Sequence, residues 1–223
     1  VQEGMPEAWI KVLRRGLQLD ERDVLRVQGL IGMDGLWEIA GLDRPRLRYR
    51  PATPHNPTWT GSPEALFDTI RERDVLLHMP YDSFRAVETF VASAANDPKV
   101  VGIKQTLYRV GSASPIVESL LEASSRGKQV AAMVELKARF DESNNLVWSR
   151  ALERAGVHVT YGFRDMKVHA KLCVVVRKEK DGLRTYTYIG TGNFNPNTAR
   201  TYTDLGLFTS DPEVGEDVLQ LFN

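Results

Sequence analysis

The sequence predicts an α/β domain, with a mixed, largely parallel sheet flanked by helices, behind an α-rich remnant of a preceding domain. Three observations point there. Short apolar runs alternate with helix-length segments between residues 75 and 161. Beyond Tyr161 the rhythm changes to two β-rich runs joined by "EKDGL", a hairpin signal. A stretch dense in proline and arginine, residues 44 to 63, separates all of this from the start of the chain.

Residues 1 to 45 contain two helical patterns, Pro6 to Leu17 and Gln28 to Ile39, separated by "DERDVLRV", which reads as a short strand. The stretch "RPRLRYRPATPHNPTWTGSP" should be extended, because proline lacks a backbone donor and restricts the residue before it. The boundary is placed here, giving residues 1–50 and 51–223. Ser62 and Pro63 form a helix start, a hydroxyl cap followed by proline at the first helical position, leading into "EALFDTIRER".

Strands follow at 75 to 79, 100 to 108, 129 to 136 and 157 to 161. Helices fall between them at Asp82 to Ala95, Pro115 to Arg126 and Asn144 to Ala155. Such alternation implies βαβ units with right-handed crossovers. After the hairpin, "DLGLFTS" is a last strand, and the chain stops at "DVLQLFN" inside an amphipathic pattern, as a piece of a longer protein would.

Hydrophobic residues make up 42% of the chain and charged ones 26%, with 29 acids balancing 29 bases. No global field draws it to nucleic acid, and no apolar stretch is long enough for a membrane-spanning helix. The one cysteine, Cys173, excludes an internal disulfide framework and fits a reducing, cytoplasmic setting, which leaves room for peripheral attachment to an inner membrane.

The chemistry concentrates in "DMKVHAKLCVVV". Taken as a strand, residues 167 to 175 put Lys167, His169, Lys171, Cys173 and Val175 on one face, and apolar residues alone on the other. Two flanking ammonium groups disfavour imidazolium, so a neutral ring with a free lone pair is expected. The same lysines would hold phosphate oxygens against that nitrogen. The alternation alone leaves open an ordinary solvated strand face.

Neighbouring motifs add anion-binding groups. "GTGNFN" allows close backbone approach at Gly190 and Gly192 and offers donors from Thr191 and Asn193. Tyr108 and Arg109, then Glu135, Lys137 and Arg139, collect where parallel strands end, the usual place for ligands of open α/β sheets. His55, His78 and His158 match no catalytic position; His158 reads as structural, and His78 has no evident partner. Cys173 is read as packing.

"HAK" followed by "GTGNFN" resembles the half-motif of the phospholipase D superfamily, whose enzymes build one site from two halves and phosphorylate a histidine. Where that motif carries an aspartate this chain has Val176, which disfavours a phosphodiesterase completed by homodimerisation. A resemblance covering nearly the whole chain, through "GIKQTLYRVG", "VELKARFDE", "HAKL" and "IGTGNFNPNTARTYTDLGLFT", is to the polyphosphate kinases, which have phospholipase D-like catalytic domains.

That resemblance implies reversible transfer of the terminal phosphoryl group of ATP to polyphosphate through a phosphohistidine, with His169 as nucleophile and Lys171 stabilising phosphate. It assigns Arg109 and Arg139 to the neighbourhood of magnesium and phosphate; a guanidinium is a poor metal ligand, so phosphate contacts beside Mg2+ are expected. Tyr202, Asn193 and Lys167 are expected to bind ATP or phosphate. The chain would then hold the end of a head domain and most of the first catalytic domain of a homo-oligomeric enzyme. Its partners would be ATP, ADP, polyphosphate and the remaining domains. Alone, it would hold half a site and turn over little or nothing. A non-catalytic anion-binding module is the third alternative.

Overall fold

The computed structural model describes residues 1–137, 142–163 and 165–223. Two compact units divide the chain, Val1–Pro51 and Ala52–Asn223.

In the first unit, α1 spans Glu7–Leu17 and α2 spans Leu36–Gly41. The predicted second helix thus begins late: Gly29 takes a φ of 93°, a 3-10 turn covers Met33–Gly35, and Gly32 and Gly35 add further weak helix formers ahead of Leu36. "DERDVLRV" forms a 3-10 turn at Glu21–Asp23, where Asp23 accepts the Asp20 amide, and Val27 makes only an isolated bridge to Gln2. Apolar side chains of this unit, Trp9, Leu30, Trp37 and Leu47 among them, are exposed.

The second unit is built on one seven-stranded sheet. Its strands are β1 (Val75–Met79), β2 (Val100–Leu107), β3 (Gln129–Val134), β4 (His158–Tyr161), β5 (Lys171–Glu179), β6 (Gly182–Gly190) and β7 (Asp204–Thr209). They lie in the order β1-β7-β6-β5-β2-β3-β4. The helices are α3 (Pro63–Glu72), α4 (Arg85–Asn96), α5 (Pro115–Ser125), α6 (Glu142–Arg154) and α7 (Pro212–Leu221).

The mixed α/β class stands, but its expected parallel bias needs correcting. β2–β3 and β3–β4 pair parallel, whereas the other four pairings are antiparallel. The β5–β6 hairpin enters the sheet beside β2 because Leu172, Cys173, Val174 and Val175 are buried on both faces, as a central strand must be. Cys173 and Val175 pack into the larger core, whereas Leu172 and Val174 pack with Val218 of α7 on the opposite face.

Local signals set several elements. The Ser62 hydroxyl accepts the Ala65 amide to start α3, and Ser114 does the same for Val117 at the start of α5. Helix α4 starts later than expected because Asp82 is committed elsewhere, accepting the His78 amide at 2.8 Å and facing His55 Nδ1 at 3.3 Å. A buried ionic cluster joins one end of the sheet to the turn after α4. There Arg177 Nε donates to Asp97 at 2.8 Å, its Nη1 donates to Glu179, and the Tyr186 hydroxyl donates to the same carboxylate at 2.6 Å.

Following the pairings across the sheet, β1, β6, β2, β3 and β4 run one way and β5 and β7 the other. The carboxyl ends of the first five therefore share an edge with the amino ends of β5 and β7, at Lys171 and Asp204. Every described candidate residue stands at that edge.

Candidate phosphate and histidine site

His169 is not in a strand, contrary to the alternation argument: β5 begins at Lys171. Register between β2 and β5 ends at Gln105 and Cys173, and side chains take over from backbone pairing. The Thr106 hydroxyl donates to the Ala170 carbonyl at 2.8 Å and accepts the Leu172 amide at 2.9 Å. Buried Glu135 accepts the Val168 amide and the Lys137 amide, each at 2.8 Å. Gly162 leaves the room for this, since a Cβ there would stand 2.7 Å from Val168. His169 thus sits on a short segment held by Thr106 and Glu135 rather than on a sheet face.

Lys171 is buried, and its ammonium reaches back 3.0 Å to His169 Nδ1 and also donates to the His169 carbonyl. The ring of Tyr108, buried at the exit of β2, gathers the remaining groups. It meets His169 edge-on at 5.4 Å between centroids, with Lys171 Nζ at 5.4 Å and the Arg109 guanidinium carbon at 5.2 Å. Tyr108 is part of the cluster itself, a role visible in sequence only as its position beside Arg109.

His169 keeps solvent access, yet partial burial of its ring and then the charges of Lys171, Arg109 and Lys167 lower its pKa. The neutral imidazole expected from the sequence is the result, but desolvation leads and the ammonium groups come second. Burial also lowers the Lys171 pKa, with Arg109 adding to the shift and Asp204 opposing it. Since an ammonium can only donate, its contact with Nδ1 leaves the proton of the neutral ring on Nε2.

The glycine loop is arranged differently from expectation. Space above Gly190 is taken by the Tyr188 ring, whose hydroxyl would lie 2.7 Å from a Cβ there, and space above Gly192 by the Asp204 carboxylate at 2.5 Å. Thr191 donates its hydroxyl to that same carboxylate at 2.8 Å. These glycines admit side chains of the fold, and Thr191 is already engaged. Asn193 is half-buried, and its carbonyl accepts the Asn195 amide at 2.7 Å. Asp204 and Asn195, neither singled out from the sequence, hold this loop, and no local pattern marks them.

Lys167 and Tyr202 are exposed, the latter just ahead of β7 at the same edge. Arg139 lies outside the described residues. His158 is exposed at the start of β4, so the structural role expected inside an apolar strand does not hold. His78 does have a partner, the ring of Tyr81 at 4.9 Å. Cys173 is fully buried, and burial pushes its thiol pKa up, in keeping with packing.

Among the described residues, the side chains at this site do not fit a magnesium ion held by the protein. Arg109 and Lys171 have no lone pair to give, both Glu135 oxygens accept backbone amides, and no group of three His, Cys, Asp or Glu converges among the described residues. Cations around a neutral imidazole suit phosphate oxygens instead. No helix among the described residues is long and apolar enough to cross a membrane.

Comparisons with known proteins bear on the family. Residues 65–223 match the family model described as polyphosphate kinase C-terminal domain 1. The chain is 49% identical over 227 residues to a polyphosphate kinase of Mycolicibacterium gilvum, covering all of this chain and 31% of the relative. To that of Parasynechococcus marenigrum it is 45% identical over 239 residues, covering 34% of the relative. It therefore spans about a third of the length of these relatives.

Among solved structures, polyphosphate kinase from Porphyromonas gingivalis superposes with a TM-score of 0.78 at 30% identity, over 99% of this chain and 34% of that one. Nuc, a phospholipase D family member from Salmonella typhimurium, matches at a TM-score of 0.52 and 17% identity over 67% of this chain and 91% of that one, a likeness of fold alone. With the Tyr108-centred cluster at the sheet edge and a family match over most of its length, the chain belongs to the polyphosphate kinase family and carries that family's first C-terminal domain.

Proposed function

We propose that this chain is the part of an ATP:polyphosphate phosphotransferase that carries the phosphorylated histidine. The supporting observation is the convergence of Lys171 and Arg109 on the Tyr108 ring beside a neutral His169. In this reading a ring nitrogen of His169 attacks the terminal phosphorus of ATP, forming a P–N bond as the P–O bond to ADP breaks. The phosphoryl group then passes to a terminal oxygen of polyphosphate, which regenerates the imidazole, and the sequence runs in reverse with ADP.

In the resting arrangement Lys171 occupies the Nδ1 lone pair. Arriving phosphate oxygens draw the ammonium away, which frees that lone pair and neutralises the incoming charge in one movement. Arg109, with Arg139, Lys167, Asn193 and Tyr202, holds the other phosphate oxygens and the nucleotide. Magnesium belongs with the nucleotide phosphates, since the cationic residues here cannot ligate it.

Phosphoryl transfer needs charge neutralised from several sides, so the remaining domains of a longer, homo-oligomeric polypeptide complete the pocket, and the isolated chain binds phosphate without sustained turnover. A cytoplasmic setting, peripheral at most to an inner membrane, belongs to the same reading. The phosphodiesterase alternative has less support because Val176, an apolar residue paired with Gly102 in the sheet, stands where that chemistry carries a carboxylate.

Labelling tests the proposal. The full-length polypeptide, incubated with γ-labelled ATP and magnesium, should acquire acid-labile, alkali-stable phosphate at His169. Persistence of that label in His169→Ala would refute it, and hydrolysis of a generic phosphodiester without such a label would favour the alternative.

A further inference from the structure

We infer that Asn195 is a positioning residue for Arg109, setting the aim of its guanidinium from the loop after β6 at the same sheet edge. The inference rests on the phosphate-binding reading of Arg109 and adds a residue to it.

Arg109 leaves β2 with a φ of 52°, in the left-handed region where an arginine stays only when its surroundings require it. The constraint is visible. Asn195 Nδ2 donates to the Arg109 carbonyl at 3.0 Å across 86 residues of chain. The orientation of that amide is set in turn, because its Oδ1 accepts the backbone amides of Asn197 at 2.9 Å and Thr198 at 3.4 Å. Turning the amide over would face NH2 to two donors.

The adjacent backbone is gripped as well. Gly111 has a φ of 78°, and a Cβ there would stand 3.3 Å from Asn195 Nδ2. Trp148 of α6 donates its indole N–H to the Gly111 carbonyl at 2.8 Å.

The side chain depends on this backbone geometry. Arg109 Nε is buried without a hydrogen-bond partner among the described residues, and the guanidinium rests by the Tyr108 ring that also meets Lys171 and His169. An ordinary extended or right-handed backbone would swing the Cα–Cβ bond of Arg109 and take the guanidinium off that ring. The loop after β6 therefore aims an arginine carried after β2.

The test uses the full-length enzyme with Asn195→Asp, which keeps the acceptor for Asn197 and Thr198 but replaces the donor to Arg109 by a second acceptor. The expected result is a loss in kcat/KM for phosphoryl transfer of about ten- to a hundredfold, with the thermal midpoint kept. In an Arg109→Ala background the same change should cost less than about twofold. Trp148→Phe, which removes the bond to Gly111 and keeps an aromatic ring of smaller size, should give a smaller loss that also vanishes in that background, and it answers the question if Asn195→Asp does not fold.

Wild-type rates in Asn195→Asp, losses that multiply with those of Arg109→Ala, or a loss matched by a lowered thermal midpoint would overturn the inference. If Arg109→Ala is impaired while Asn195→Asp is silent, only the positioning role fails. A wild-type enzyme that neither labels His169 nor makes polymer removes the underlying reading as well.

Discussion

The ammonium of Lys171 lies 3.0 Å from Nδ1 of His169, although Lys171 is the first residue of a buried strand and His169 stands outside it. Because the contact joins the sheet to the segment before it, it couples the charge state of the ring to a residue whose position the core determines.

The titration of His169 follows from this. Partial burial and three cations hold its pKa below the ordinary value of about 6.5. As pH falls, the unfolded chain takes up this proton before the folded one, so stability should decline from about pH 6.5 downward through the folded pKa. Lys171→Met should raise the NMR titration midpoint of His169 without restoring the ordinary value, because burial remains; an unchanged midpoint would show that the ammonium has no influence on the ring.

Thr106 substitutes for strand pairing at the entrance to β5. Thr106→Val keeps the shape but leaves the Leu172 amide and the Ala170 carbonyl without their partner. A loss of about 1–3 kcal/mol in urea unfolding is expected, with faster hydrogen exchange at the Leu172 amide. Exchange at the wild-type rate would mean that backbone pairing extends further than Gln105 and Cys173.

The ionic cluster at the opposite end of the sheet should matter to stability and not to the site. Asp97→Ala removes one of two carboxylates from buried Arg177 and the acceptor of the Lys99 amide. About 3–5 kcal/mol of destabilisation is expected from urea unfolding, with the His169 titration unchanged. A cost below about 1 kcal/mol would show water replacing the carboxylate.

Elements with local signals are legible in the amino-acid order. Ser62–Pro63 and the apolar run "VLLHM" place α3 and β1 by capping and composition alone. Periodicity overstates the helix before Leu36, because the apolar pattern runs through glycines whose backbone preferences oppose it. At the site, His169, Lys171 and Arg109 stand out because their residue types are costly to gather without a use. Tyr108 shows only as the neighbour of Arg109, not as the centre of the cluster. Thr106 and Asn195 carry no mark at all, since their partners lie 64 and 86 residues away.

By itself, the sequence determined the chemistry on offer, a histidine with lysines and an arginine beside strand ends, and the α/β class that presents it. Tertiary structure alone decided that β5 pairs antiparallel with β2, that His169 hangs from Thr106 and Glu135 outside the strand, and that Gly190 and Gly192 make room for Tyr188 and Asp204. The physical reason is common to all three. Local preference acts over a few residues, whereas buried amides, carbonyls and charges must find partners wherever the fold brings them, and those partners are distant in the chain.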